Sequence, residues 1–359
     1  MIEKLVTFLN EVVWSKPLVY GLLITGVLFT LRMRFFQVRH FKEMIRLMFQ
    51  GEKSPNGISS FQAIAMSLAG RVGTGNIVGV STAIFIGGPG AVFWMWITAF
   101  LGASSAFIES TLGQIFKRVE NNEYRGGPAY YIEYGIGGKF GKIYGIIICI
   151  NIQEVPALFA LIFKSAFGLQ SAFGGIVGAM IEIGVKRGLY SNEAGQGTGP
   201  HAAAAAEVSH PSKQGLVQAF SVYIDTLFVC TATALIILIS GTYNVTDGTV
   251  NANGTPHLIK DGGIYVENAT GKDYSGTAMY AQAGIDKAFH GSGYQFDPTF
   301  SGVGSYFIAF ALFFFAFTTI LSYYYITETN VAYLTRNQNN QVSTVFINIA
   351  RVIILFATF

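Results

Sequence analysis

The stretch Ala69-Gly70-Arg71-Val72-Gly73-Thr74-Gly75-Asn76 lies between two apolar runs, Ala63–Leu68 and Ile77–Ile86. Three glycines, an arginine, a threonine and an asparagine are poor material for a helix and for lipid contact alike. Backbone that leaves a helix inside a bilayer must be buried in protein or line a cavity, because lipid offers no hydrogen bonds. Such a break frees amides and carbonyls at membrane depth, which is how secondary transporters hold small ionic solutes. The Thr74 and Gly75 amides, at the positive end of a half-helix, suit an anionic group, and glycine lets the backbone come close. The competing reading is a packing face of small residues, which requires neither Arg71 nor Asn76. A nucleotide loop is excluded: from Gly73 the spacing is G-x-G-x-x-x-G, and no strand pattern precedes it.

Other polar residues stand in apolar surroundings. Thr318 and Thr319 fall in the middle of the run Val303–Ile326. Adjacent hydroxyls beside a carbonyl are hard oxygen donors, suited to a small alkali cation; alternatively they bond back to their own helix. Arg71, Glu109 and Asp225 are ionisable residues at apparent membrane depth, where each costs roughly 2.5–3.5 kcal/mol on insertion scales unless it pairs or lines a pathway. A structural anchor is as strong a reading for them as contact with a solute. Ser171-Ala-Phe173-Gly174-Gly175-Ile-Val-Gly178 has the glycine density of a second broken helix, and paired breaks point to a midplane site. For Ser191–Gly199 the glycines say only that the backbone turns tightly.

The elements that must position these residues are membrane helices. Charged residues make up 12% of the 359-residue chain, about half the share of a soluble domain, and the mean hydropathy is +0.45. A net charge of +3, spread over loops, gives no reason to expect a nucleic-acid partner. Cys149 and Cys230 sit far apart in apolar runs, and the five histidines form no ligand cluster. Lys4 is followed by the interrupted run Leu5–Trp14, which is no signal peptide. Spans of roughly 20 residues are expected at Leu18–Leu31, Ser60–Ile86, Ala91–Phe116, from Ile143, at Ser171–Val185, Leu216–Ser240 and Val303–Ile326, and from Val342 onward. Arg32, Arg34, Arg39, Lys42, Arg46 and Lys53 place the first loop in the cytoplasm and the N-terminus outside. Lys117, Arg118, Arg125, Lys186, Arg187 and Lys213 then fall inside, and the polar loop Gly241–Ser301 outside. One region resists: Asn151, Gln153, Glu154 and Pro156 interrupt the fourth span after about eight apolar residues, and a proline breaks a helix by roughly 3 kcal/mol.

Four blocks of sequence resemble the alanine or glycine:cation symporter family. They are Gly70-Arg-Val-Gly-Thr-Gly-Asn-Ile-Val-Gly79, Gly126-Gly-Pro-Ala-Tyr-Tyr-Ile-Glu133, Arg187-Gly-Leu-Tyr-Ser-Asn-Glu-Ala-Gly195 followed by Pro200 and His201, and Phe317-Thr-Thr-Ile-Leu321. The resemblance covers nearly the whole chain. It implies an all-α polytopic membrane protein, one transmembrane transporter domain over residues 1–359, with a leucine-transporter-like inverted-repeat bundle. It also implies sodium-coupled symport of alanine, glycine or a similar small neutral amino acid across the cell membrane. Under it, Gly73, Thr74, Gly75 and Asn76 of the unwound segment, Phe173, Gly174 and Gly175 of a second break, and Tyr323 would meet the substrate. Sodium would sit among the carbonyls of Ala69, Val72 and Phe315, the hydroxyls of Thr318 and Thr319, and Asn76. Against the family pattern, about two spans are expected to be missing between Ile150 and Asn151, including a segment with a substrate-contacting glutamine. By the same pattern the last helices are expected to be missing as well, and the outer loop to be longer than usual. A channel would need a repeated filter sequence, and an intramembrane enzyme a metal cluster or paired catalytic groups; neither is present in the sequence. A partial family member that transports nothing is the remaining alternative.

Overall fold

A computed structural model describes residues 16–50, 56–120, 122–143, 176–251, 254–268, 271–273, 277–297, 302–336, 344–349 and 351–352. The chain is mostly helical. The helices that position the site are α1 (Lys16–Arg32), α2 (Phe41–Met48), α3 (Ser60–Arg71), α4 (Val78–Gly87), α5 (Gly90–Ile115), α6 (Pro128–Gly135), α7 (Ile176–Asn192), α8 (Gly199–Ala205), α9 (Pro211–Tyr223), α10 (Thr231–Ser240), α11 (Thr277–His290) and α12 (Val303–Thr335).

Among the described residues, three helical units are long and apolar enough to cross a membrane: α5, the continuous α9–α10 unit Pro211–Ser240, and α12. The α3 and Thr74–Gly87 pair, bent by 67° at its break, makes a fourth if counted as one span. Of the other spans expected, α1 is a shorter apolar helix. The span from Ile143 lies outside the described residues beyond its first residue, and the last is described only at 344–349 and 351–352.

One boundary is corrected. The fifth span begins within the described residues at Ile176 and runs on to Asn192, so Lys186 and Arg187 are helical rather than in a loop. Lys186 is held one turn along by Glu182 at 2.8 Å. Gly184 and Gly188 press α7 onto α5: a Cβ at Gly188 would stand 3.0 Å from Thr98 and 3.1 Å from Met95, and one at Gly184 2.7 Å from Trp94. Small residues four apart let two helix backbones approach in this way. On its other side α5 buries Ala99, Ala103 and Ala106 in a core cluster with Phe36, Met44 and Val217.

The segment Gly241–Ser301 is not a bare polar loop. Strands β3 (Val245–Val250) and β4 (Pro256–Lys260) pair antiparallel, as do β5 (Val266–Asn268) and β6 (Gly271–Asp273), while β1 (Arg118–Glu120) and β2 (Glu123–Arg125) form a separate hairpin. Helix α11 then packs its buried Tyr280, Ala281 and Ala283 into one core cluster with Val80, Ile84 and Ile237. Asp286 at its end accepts the Gly304 amide at 2.7 Å, fixing the start of α12. The apolar residues of this helix were diluted in sequence by the surrounding Gly, Asn and Thr.

Candidate functional site

Helix α3 begins cleanly and ends abruptly. Ser59 accepts the Gln62 amide at 3.2 Å while the Gln62 side chain accepts the Ser59 amide at 3.0 Å, a reciprocal cap. After Arg71 the chain is extended at Val72 and Gly73, tightens into one 3-10 turn over Thr74–Asn76, and resumes as α4. The Gly73 amide, which a continued helix would give to Ala69, donates instead to the Asn76 amide oxygen at 2.8 Å. Among the described residues no hydrogen bond ends on the carbonyls of Ala69 or Val72, and none uses the amides of Thr74 or Gly75. The break therefore offers two acceptors on one side and two donors on the other. A Cβ on Gly75 would stand 3.2 and 3.3 Å from the Tyr190 ring, so a side chain there would press on that ring.

Helix α12 lies against this break. A Cβ on Gly73 would be 3.1 Å from the Thr319 hydroxyl, and one on Gly70 2.7 Å from the Ser322 hydroxyl. The Thr319 hydroxyl oxygen is buried without a hydrogen-bond partner. Thr318 differs: its hydroxyl donates to Phe314 O at 2.9 Å and Phe315 O at 3.2 Å, the back-bonding left open from sequence, so Phe315 O already accepts a bond. Tyr323 donates to Glu193 at 2.5 Å, and this hydroxyl is spoken for as well.

Asn76 is fully buried and ties the break to two other segments. Its side-chain nitrogen donates to Asp225 at 2.6 Å, Ser191 Oγ at 3.1 Å and Cys230 Sγ at 3.3 Å. The Asp225 carboxylate also accepts from Ser191 at 2.6 Å and Thr226 at 2.8 Å. Between α9 and α10 the chain winds as a π-helix, Ile224–Cys230, and this brings Asp225 and Cys230 onto one face. Asn76 thus holds the broken geometry in place, with its amide oxygen spent on Gly73.

Arg71 is buried and donates to Ser221 Oγ and, at 3.3 Å, to Gln218 O. Its neighbour Glu109 accepts the amides of Gly195 at 3.2 Å and Gly197 at 3.0 Å. Both glycines have positive φ, 82° and 86°, which explains the glycine-rich turn after α7: it wraps around a buried carboxylate. In α8, outside the spanning segments, His201 donates from Nδ1 to Gly197 O at 2.9 Å and accepts on Nε2 from Asn330 at 3.0 Å. It is neutral, and burial pushes its pKa down to about 4. Gly127, at φ 136°, passes directly over its ring.

The structure brings Ala69, Val72, Gly73, Thr74, Gly75, Asn76 and Thr319 together at the break. Phe173, Gly174 and Gly175 lie outside the described residues, as does Cys149. Sequence reasoning missed Ser191, Thr226, Cys230 and Glu193 as members of the buried network. Five residues of an α-helix turn Asp225 and Cys230 about 140° apart, so only the π-helix could reveal the pair. Among the described residues there is no group of three or more metal-ligating side chains.

A helix that comes apart within an apolar multi-helix bundle, with unspent main-chain donors and acceptors facing an unpartnered hydroxyl, defines a multi-pass membrane protein built to handle a small polar solute. Comparison with known proteins agrees: the description of the sodium:alanine symporter family matches residues 1–146, 142–261 and 276–359, and the chain belongs to that family. It is 47% identical to a putative sodium/proton-dependent alanine carrier protein of Bacillus subtilis, over 99% of this chain and 83% of that one. A sodium/proton-dependent alanine carrier protein of Bacillus sp. strain PS3 is 42% identical, over 88% and 81%. The sodium/alanine symporter of Methanococcus maripaludis is 33% identical, over 73% and 78%. The first alignment runs over 430 positions; 99% of 359 residues fill about 355 of them, leaving about 75 with no residue here.

Proposed function

We propose that the protein carries alanine, with glycine as the neighbouring small substrate, into the cell together with sodium by alternating access. The observation that carries this is the break itself: free Thr74 and Gly75 amides for a carboxylate, beside the free carbonyls of Ala69 and Val72 and the unpartnered Thr319 hydroxyl for a cation. The names of the relatives support the same pairing of ion and amino acid. In this reading Gly73, Thr74, Gly75 and Asn76 form the substrate cradle, Tyr323 walls it, and Phe173, Gly174 and Gly175 complete it. Sodium rests on Ala69, Val72 and Thr319; Thr318 and Phe315 join only if their mutual hydrogen bond opens, and Asn76 acts by holding the break. The proposal includes one transporter domain over the whole chain with a leucine-transporter-type inverted repeat. It places the N-terminus and the cap of residues 241–302 outside.

The energetics permit accumulation. One sodium ion crossing 100 mV releases about 2.3 kcal/mol, and a tenfold gradient adds about 1.4 kcal/mol. Their sum of about 3.7 kcal/mol sustains a several-hundredfold gradient of substrate per ion.

A second reading has its own observation. The family match restarts at residues 142–146, and about 75 alignment positions are empty in this chain, enough for two spans of roughly 20 residues with their loops. In that reading the chain is a partial family member that transports nothing. Uptake of labelled alanine into proteoliposomes decides between them. Saturable accumulation that requires a sodium gradient supports symport, sodium-independent leak supports a channel, and no uptake supports the partial member.

A further inference from the structure

The seam between α3 and α12 carries a second oxygen-lined space. A cavity of about 10 Å³ is lined by Ser67 and Gly70 of α3, Glu193 and Thr198 of the turn after α7, and Ser322 and Tyr325 of α12. That is room for about one water-sized sphere. Ser67 is only 7% exposed and its hydroxyl has no hydrogen-bond partner. Glu193 is buried at 8% exposure, gives one carboxylate oxygen to Tyr323 and turns the other toward Gly70, whose added Cβ would stand 4.0 Å from it. Among the described residues no cation lies within ion-pair distance of Glu193; the buried Arg71 acts on it only from farther away, is shared with Glu109 and Asp225, and gives its hydrogen bonds to Ser221 and Gln218. A buried carboxylate that shares one distant arginine with two others leaves room for a further positive charge, and every polar side chain lining this space ends in oxygen, the donor type that favours hard cations over softer metals.

The two glycine–hydroxyl contacts, Gly73 with Thr319 and Gly70 with Ser322, are three residues apart in both segments. Three residues of helix rise about 4.5 Å. The Thr319 site and this cavity therefore stand in series along one seam.

We propose that the Ser67–Glu193–Ser322 cavity is a second sodium site, in which the ion rests on its way along the α3–α12 seam. Its place on an ion path rests on the symport reading; its capacity to bind sodium does not. The test is equilibrium binding of radiolabelled sodium to the purified full-length protein in detergent, with alanine uptake measured in parallel on proteoliposomes. The wild type is expected to bind two sodium ions. Ser67→Ala and Glu193→Gln should each weaken one of them by roughly tenfold or more, and Thr319→Val should remove the other. Ser67→Ala deletes a hydroxyl that bonds to nothing in the protein, so its melting temperature in sodium-free buffer should equal or exceed that of the wild type, and a folding defect is separated from lost binding. Wild-type stoichiometry and affinity in both Ser67→Ala and Glu193→Gln would overturn the proposal and leave the cavity to water. Two bound ions without sodium-driven uptake would uphold the site and sink symport; sodium-driven uptake with unchanged binding in both variants would do the reverse.

Discussion

Replacing Thr319 by valine separates a cation site from a packing contact, because the two readings predict opposite signs. The hydroxyl oxygen is buried beside Gly73 with no hydrogen-bond partner. An unsatisfied buried polar group costs about 1–3 kcal/mol, so in potassium buffer Thr319→Val should stabilise the protein by about 1 kcal/mol after allowing for imperfect fit of the new methyl. Sodium at a hundred times its dissociation constant stabilises the state it binds by about 2.7 kcal/mol, and the variant forfeits that increment. Wild type and variant should therefore change rank: the variant melts higher in potassium, the wild type higher in saturating sodium. Thermal unfolding of both proteins in both salts, followed by intrinsic fluorescence, gives the four numbers. If Thr319→Val keeps the whole sodium-induced rise, or is destabilised in potassium, the hydroxyl is not a ligand and the cation site at the break is refuted.

Asp225→Asn leaves Ser191, Asn76 and Thr226 competing for one amide oxygen and sets an amino group among donors; it should cost on the order of 3 kcal/mol, read as a lower melting temperature. Gly75→Ala pushes a methyl against the Tyr190 ring and should lower the kcat/KM of alanine uptake by about tenfold or more, a loss of about 1.4 kcal/mol, with little change in melting temperature; wild-type kinetics would show that the break tolerates a side chain. His201 has its pKa pushed below the ordinary 6.5, to about 4, so the unfolded chain binds more protons between those values. Its stabilisation is complete above pH 6.5 and falls by roughly 3 kcal/mol as the pH drops to 4. Unfolding measured from pH 7.5 down to 5 should weaken in the wild type and be flatter in His201→Gln; equal slopes would mean that other groups carry the pH dependence.

How far the sequence could be read follows from what each signal requires. The break was legible because Gly, Arg, Thr and Asn in an apolar run violate helix propensity and lipid preference together, and no ordinary span tolerates both. The packing of Thr319 on Gly73 was reachable only through family resemblance, since hydroxyls that bond back to their helix look the same in sequence; Thr318 does just that. Helix α11 was hidden because its apolar face is short and embedded in polar hairpins. The turn Glu193–Thr198 was legible as a tight turn but not as a cradle: its partner, Glu109, is 86 residues away from Gly195, and charge alone does not say which amides a buried carboxylate will find.

The least legible feature also explains the site's architecture. Asn76, Ser191 and Asp225 each sit where a helix loses its regular pattern: the break after α3, the last turn of α7, and the π-helix between α9 and α10. Interrupted helices leave polar groups that a bilayer cannot satisfy, so three interruptions at one depth are stable only if they satisfy one another. Asn76 does so with a bond to Gly73 across its own break and bonds to Ser191 and Asp225 on the other two. Pulling the break away from both α7 and the π-helix must therefore break the Asn76–Ser191 and Asn76–Asp225 bonds together, and a bond to a charged group is worth about 1.5–3 kcal/mol. That is comparable to the roughly 3.7 kcal/mol one sodium ion would supply under the proposed symport, so in that reading a single coupled ion can release the network.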